Sequence, residues 1–281
     1  MKFAVIAHGV SETNLGLASR GWHGAPAYLL PPRDALLALG AGDVALNWLD
    51  VASDLSGVED GIWIVNQLEA QGVRVFNRPS ALLAAHDKLI TARLLKAAGL
   101  PHPRTRRLDE TSRIDDLPYP VVAKPRYGSW GRDVELCADR RALERYIAEV
   151  EGSAWWPSGG IVQELVTPGP FDMRVIVAGG EVVGAASRVA APGEWRTNVA
   201  LGASIVSAVP PPEARDLAVA AVGALGIDFG GVDLLPDGDS WVVLEVNGAV
   251  DVRPCYSLGR EIADAVMASL ERDAAKSLLI A

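Results

Sequence analysis

The chain's 281 residues leave room for two or three small lobes with clefts between them, and 49% hydrophobic against 22% charged residues is the balance of a globular protein. A net charge of −9 argues against a general nucleic-acid binder, and no apolar run reaches the length of a membrane span, so neither nucleic acid nor membrane is an expected partner. Cys137 and Cys255 are the only cysteines and form no Cys/His cluster, which supports neither a disulfide scaffold nor a structural zinc site and fits a reducing, cytoplasmic setting.

The opening run Met1 to Ala7 is too short an apolar stretch for a signal peptide and reads as a buried first strand. Further short apolar runs at Ala27 to Leu30, Val44 to Leu46 and Val73 to Phe76 alternate with helix-like segments, an order that predicts a small parallel α/β lobe. Leu82 to Ala98 has helical periodicity and is stopped by Gly99, Pro101 and Pro103, after which a linker runs through Pro118 and Pro120. Tyr119 to Lys124 then reads as a strand, Arg126 to Arg132 as a glycine-containing loop, and Arg140 to Glu151 as an amphipathic helix. Strands are expected over Ile161 to Val166, Asp172 to Ala178 and Glu181 to Ser187, the last two joined at Gly179-Gly180, a hairpin signal. Pro210-Pro-Pro212 marks a turn before a helix from Glu213 to Leu225. The domain reading is 1–84, 85–160 and 161–281.

The strongest chemical signal lies near the end, in Gly-Gly-Val-Asp233-Leu-Leu and Trp-Val-Val-Leu-Glu245-Val-Asn247, two apolar strands about the turn Pro236-Asp-Gly-Asp239. Alternation puts Glu245 and Asn247 on one face, and an antiparallel partner brings Asp233 beside them. Carboxylate and amide oxygens are the hard donors that Mg²⁺ prefers, though acidic residues near turns are also common at plain solvent-facing strand edges. Lys124 ends an apolar strand and Lys88 follows Asp87 early in the Leu82 to Ala98 helix, both able to meet a phosphate as point charges. The loop Tyr127-Gly128-Ser129-Trp-Gly131-Arg132 offers flexible backbone amides, while the absence of GxxxxGK[ST] excludes a P-loop. Gln163, Glu164, Leu165 and Val166 resemble a hinge strand whose backbone reads a purine edge. Asp172 and Arg174 share a strand face, and Arg188, Arg196 and Asn198 follow around Gly193-Glu-Trp, a set of bidentate forks for phosphate or carboxylate oxygens. Taken singly, each of these residues is as readily a surface charge or a core strand residue. Cys255 has no positioned histidine and reads as a structural thiol, whereas His8, Thr13 and Asn14 are candidates for lining an acid's pocket.

In order along the chain, Asn77-Arg-Pro, His86-Asp-Lys88, Pro120-Val-Val-Ala-Lys124, Gly128-Ser-Trp-Gly131, Gln163-Glu-Leu-Val166, Asp172-Met-Arg174, Trp195-Arg-Thr-Asn198, Gly231-Val-Asp233 and Leu244-Glu-Val-Asn247 resemble the ATP-grasp enzymes, specifically the RimK-type carboxylate–amine ligases. The resemblance covers roughly the last two hundred residues and implies an ATP-grasp fold, α/β and α+β, preceded by a small parallel α/β lobe. It implies ATP as co-substrate and magnesium, two ions, with manganese an alternative. Lys88 and Lys124 are then implied at the phosphates with Arg196 and Asn198, Glu164 and Leu165 at the adenine, and Asp172 near the ribose. Asp233, Glu245 and Asn247 match the metal ligands, with Glu245 as the bridge, and Arg174 and Arg188 face the acyl phosphate and the acid. The implied partners are a carboxylate and an amine, the acid either free or the C-terminus of a peptide or carrier protein, with a homo-oligomer compatible. A dipeptide ligase of the D-alanine ligase kind shares this architecture, and a regulatory protein that keeps the ATP cleft without turnover is the non-catalytic alternative. Three departures stand out: Val-Ala-Leu201-Gly202-Ala203 after Asn198, Asp133 for the last glycine of the loop, and Gly-Ala-Val-Asp251-Val-Arg253-Pro254 in place of a Ser-Pro-Gly. They do not carry glutamate over as the amine.

Overall fold

In the computed structural model, which describes residues 1–25, 27–108, 118–166 and 169–280, the opening run folds as β1 (Phe3–Ile6) with all four side chains buried. A strand buried on both faces needs covered, parallel neighbours. It has them in β2 (Ala27–Leu30) and β3 (Val44–Asn47), and β4 (Arg74–Phe76) completes the sheet order β2-β1-β3-β4. Helices α1 (Glu12–Arg20), α2 (Pro32–Ala38) and α3 (Ile62–Ala70) make the crossovers, α1 opening on a capping box between Ser11 and Asn14.

Where one helix is expected from Leu82 to Ala98 there are two, α4 (Pro79–His86) and α5 (Lys88–Ala97). Asp87 breaks them: its backbone is extended, and its side chain accepts hydrogen bonds from the amides of Leu89 and Ile90 as the cap of α5. The segment from Pro101 to Pro120 is not all linker, because it holds β5 (Thr105–Arg107). Its stretch 109–117 lies outside the described residues. With β6 (Val121–Pro125), β7 (Glu135–Cys137) and β8 (Gly160–Glu164), β5 forms a second sheet, order β5-β8-β6-β7. Helix α6 (Arg140–Val150) closes its core through Leu143, Tyr146 and Val150, packed with Trp155.

The third sheet is antiparallel, order β11-β10-β9-β12-β13, from β9 (Phe171–Ala178), β10 (Glu181–Val189), β11 (Ser204–Ser207), β12 (Phe229–Asp237) and β13 (Ser240–Asn247). The hairpin between β9 and β10 turns at Gly179 and Gly180, both at positive φ; a side chain at Gly179 would also fall 2.5 Å from the Ser269 carbonyl oxygen. One face of this sheet packs on α7 (Pro212–Leu225) and α4/α5, the other on α8 (Ile262–Ile280) and the first sheet, so that Phe3, Trp22, Phe76, Ile176, Phe229 and Val266 share a single core. Asn77 ties the joint. It is fully buried, its amide donates to the carbonyls of Phe229 (2.7 Å) and Gly248 (2.9 Å), and its oxygen accepts from the amides of Asp228 and Phe229. Among the described residues, no helix is long and apolar enough to cross a membrane.

Candidate active site

Sheet register assembles the site. On the third sheet Glu245 of β13 stands opposite Asp233 of β12, Asp233 opposite Arg174 of β9, and Arg188 of β10 opposite Asp172 of β9. The result is a buried ladder of alternating charge. Arg174 grips Asp233 with both arms of its fork, Nε to Oδ1 at 2.7 Å and a terminal nitrogen to Oδ2 at 2.8 Å. Arg188 bridges Asp233, at 2.8 Å, and both oxygens of Asp172, which also accepts from Thr197 Oγ1 at 2.5 Å. Burial works to raise the Asp233 carboxyl, but the charges and hydrogen bonds of Arg174 and Arg188 outweigh it and hold the group well below the usual carboxylate range.

The second sheet brings the lysines to the same place. Lys88 Nζ donates to the Gly128 carbonyl (2.6 Å) and to Glu245 Oε1 (2.9 Å), which joins the two sheets across the cleft. The Lys124 side chain, in a residue at 6% exposure, makes no hydrogen bond or ion pair among the described residues. Burial, with Lys88 nearby, pushes its pKa down to about 8. Three carboxylates, Asp172, Asp233 and Glu245, thus balance three cations, Arg174, Arg188 and Lys88. Lys124, and Arg132 of the glycine loop, line the first cavity without an ion-pair partner among the described residues, so this cleft favours an anion.

Asp87 anchors the glycine loop, accepting both arms of Arg126 and the Tyr127 hydroxyl. Further along, Trp130 and Gly131 have positive φ, and a Cβ at Gly131 would lie 2.7 Å from Asn198 Oδ1, so only glycine permits that approach. Asp133, the departure from a glycine, also has positive φ; its carboxylate accepts from the Trp155 indole at 2.8 Å and its carbonyl from Tyr146.

Two cavities flank this wall. The first, enclosing about 970 Å³ open to solvent, touches every expected nucleotide residue: Lys88, Lys124, Gly128, Ser129, Gly131, Gln163, Glu164, Leu165, Val166, Asp172, Arg196 and Asn198, together with Arg188, Asp233 and Glu245. The second, about 1720 Å³, is lined by Arg174 and Asn247 and extends to Asn14, Asp50 and Asp251. Arg188, Asp233, Glu245, Ser129, Trp130 and Asn198 belong to both.

Several of the expected residues are held by protein partners in this arrangement. Asp172, implied near a ribose, has both oxygens engaged by Arg188 and Thr197 and is the post that holds Arg188. Arg196, implied at phosphates and the reacting centre, is spent on Glu194 and on the carbonyls of Gly131 and Val134, and so pins the glycine loop to the Gly193 turn. Glu164 uses its backbone N–H on the Arg104 carbonyl and its side chain on Arg104, whereas Leu165 and Val166, past the end of β8, line the first cavity. His8 turns to the Asp60 carbonyl and Thr13 to Val252 and Asp251, so of that trio only Asn14 lines the second cavity. Asp87 and Thr197 were not anticipated. Asp87, just ahead of Lys-Leu-Ile, was readable as a helix cap; the pairing of Thr197 with Asp172 has no local signature.

Asp233, Glu245 and Asn247 supply hard oxygen donors, and Asn247 turns its amide nitrogen to the Gly231 carbonyl at 3.4 Å, which leaves its oxygen free. The set fits a magnesium-type cation in donor chemistry. It has two carboxylates and one amide, and among the described residues no group of three or more His, Cys, Asp and Glu side chains is placed to hold a metal ion.

Residues 85–270 match the family model described as a RimK-like ATP-grasp domain. A Shewanella amazonensis protein named probable alpha-L-glutamate ligase 1 is 33% identical over 223 residues, 77% of this chain and 73% of that protein. A probable alpha-L-glutamate ligase 2 of Pseudoalteromonas atlantica is 32% identical over 221 residues, 76% and 72% of the two chains. In fold, the chain is similar to a RimK domain ATP-grasp protein from Sphaerobacter thermophilus, with a TM-score of 0.68 at 23% identity over 96% of this chain and 98% of the other. It is similar also to D-alanine–D-alanine ligase from Bacillus anthracis, with a TM-score of 0.70 at 18% identity over 100% and 98%. The chain belongs to the RimK-like ATP-grasp family and, with it, to the ATP-dependent carboxylate–amine ligases.

Proposed function

We propose that the first cavity takes ATP and the second takes the acid and the amine, with phosphoryl transfer at the wall they share. The observation that carries this reading is Lys124, a largely buried side chain whose ammonium has no hydrogen-bond or ion-pair partner among the described residues, beside a wall common to two cavities. The purine lies in the apolar end between Val122, Leu165, Leu235 and Leu244, against the backbone of Leu165 and Val166. Lys88 and Lys124 hold phosphate oxygens, and the amides of Gly128 to Gly131 cover them.

Asp233, Glu245 and Asn247 would hold magnesium, two ions with Glu245 shared and manganese an acceptable substitute, which neutralises charge on the phosphates when bound. A carboxylate oxygen of the acid, steered by Arg174 and Arg188, attacks the γ-phosphorus and forms an acyl phosphate and ADP. The amine nitrogen then adds to the acyl carbon, phosphate leaves, and the nitrogen's proton is lost to solvent. Positioning and charge stabilisation suffice for both steps, so no covalent enzyme nucleophile is needed. The acid is a small molecule or the C-terminus of a peptide or carrier protein.

Release of ADP on screening pooled acids and amines, with mass spectrometry of the products, tests the reading. Activity should require one acid and one amine together and should vanish in Glu245→Gln with the circular dichroism unchanged. ADP release by Glu245→Gln at the wild-type rate, or ADP release indifferent to every acid, would contradict it.

A further inference from the structure

Asp233 cannot serve a metal ion as the ligand-free protein holds it. Its side chain is 5% exposed, and both of its oxygens are already taken: Oδ1 by Arg174 Nε at 2.7 Å, Oδ2 by a terminal nitrogen of Arg174 and one of Arg188, each at 2.8 Å. The neighbouring carboxylates are occupied too, Glu245 by Lys88 at 2.9 Å and Asp172 by Arg188 and Thr197. A divalent cation entering this place meets no net negative charge and two guanidinium groups at the oxygens it needs. Repulsion between such cations is only partly screened in a buried site.

The two arginines differ in their freedom to leave. Arg188 is held between two carboxylates at 5% side-chain exposure, whereas Arg174 has, among the described residues, Asp233 as its only ion-pair partner, is 17% exposed and lines the second cavity. We propose that Arg174 gates the metal site: in the ligand-free protein its fork blocks Asp233, and a metal ion gains that carboxylate only once an oxyanion in the cavities draws the fork away. Withdrawing Arg174 without such an anion strands a buried charge, which is costly, so the block is stable until a ligand arrives. Arg174 is on this account a positioning residue whose position reports whether the site is loaded. The inference rests on the reading of Asp233 as a metal ligand.

Mn²⁺ titration of the nucleotide-free protein, followed by loss of the free-ion paramagnetic resonance signal, tests it. Arg174→Met should bind Mn²⁺ more tightly than wild type by about tenfold or more, a factor that corresponds to one charge-assisted contact removed from the competitor. Arg174→Lys, which keeps the charge without the fork, should fall between the two, and Arg272→Met, a cation on α8 paired with Glu181, should match wild type. Adding Asp233→Asn to Arg174→Met should erase the gain. Equal affinity in wild type and both Arg174 variants, each with the wild-type far-ultraviolet spectrum, overturns the gate, as does a gain that survives Asp233→Asn. A wild-type arm decides without any Arg174 variant: Mn²⁺ binding to nucleotide-free wild type that is tighter than to Asp233→Asn by about tenfold also overturns it. Failure of the metal reading itself looks different, because Asp233→Asn would then leave Mn²⁺ binding in the presence of a non-hydrolysable ATP analogue unchanged.

Discussion

At Asn77 the chain buries an amide and surrounds it with partners; at Lys124 it brings an ammonium to the cleft with no hydrogen-bond or ion-pair partner among the described residues. Asn77 sits at positive φ between the first and third sheets, and its side-chain oxygen and nitrogen each meet two backbone groups. Lys124 sits on β6, facing a cleft in which Asp172, Asp233 and Glu245 are already paired with Arg188, Arg174 and Lys88. Buried polar groups are normally satisfied within the protein, so one left without a partner marks a place kept for a ligand. The same distinction separates Asp172, fully engaged, from the free amide oxygen of Asn247.

The largest effect that sharpens this contrast is on stability at the joint. Asn77→Ala should lower the unfolding free energy by about 3 kcal/mol or more, because it leaves several buried backbone groups unpaired at once. Urea denaturation checks this, and a loss below about 1 kcal/mol would remove the joint from the architecture. Lys124→Met should behave in the opposite way. Calorimetry should show ATP-analogue affinity reduced by about tenfold or more, since a charge-assisted contact is lost, with an unfolding midpoint no lower than wild type because an unpaired buried charge has been removed. Equal affinity, or a large loss of stability, would make Lys124 a structural residue.

The smallest effect concerns pH. Lys124 carries its proton below a pKa lowered to about 8 and loses it as pH rises, so wild-type affinity for the analogue should fall several-fold on going from neutral pH to one unit above that value. Lys124→Arg should hold its affinity over the same range, because a guanidinium keeps its charge there. A decline of equal size in both proteins would assign the titration to another group.

Period-two alternation and turn glycines made the hairpins readable, and with them the face shared by Glu245 and Asn247. The break at Asp87 was overlooked although its capping signal is local. Helix α8, with Ile262, Val266 and Leu270 four residues apart, carried a readable pattern as well. The strands β5 (Thr105–Arg107), β7 (Glu135–Cys137) and β11 (Ser204–Ser207) are short and hold few apolar residues, so they lack the apolar run that marks the equally short strands of the first sheet. The charge ladder is a different matter. Pairing Arg188 with Asp172 and Asp233 depends on the registers of β9 with β10 and with β12, and on which way each fork turns, none of which is encoded in local spacing. By contrast, the pairing of Arg196 with Glu194, two residues apart, was open to inspection and would have warned against giving Arg196 a free charge.

The acyl phosphate is the centre of the account, and oxygen transfer tests it most directly. An acid labelled with ¹⁸O in its carboxylate, taken from those that support ADP release, is turned over with ATP and amine, and the released phosphate is weighed by mass spectrometry. Attack of the carboxylate on the γ-phosphorus predicts one ¹⁸O in each phosphate released, with the label appearing only when acid, amine and ATP are all present. Unlabelled phosphate, formed at the rate of ADP, would contradict it, because the carboxylate would never have been phosphorylated at this site.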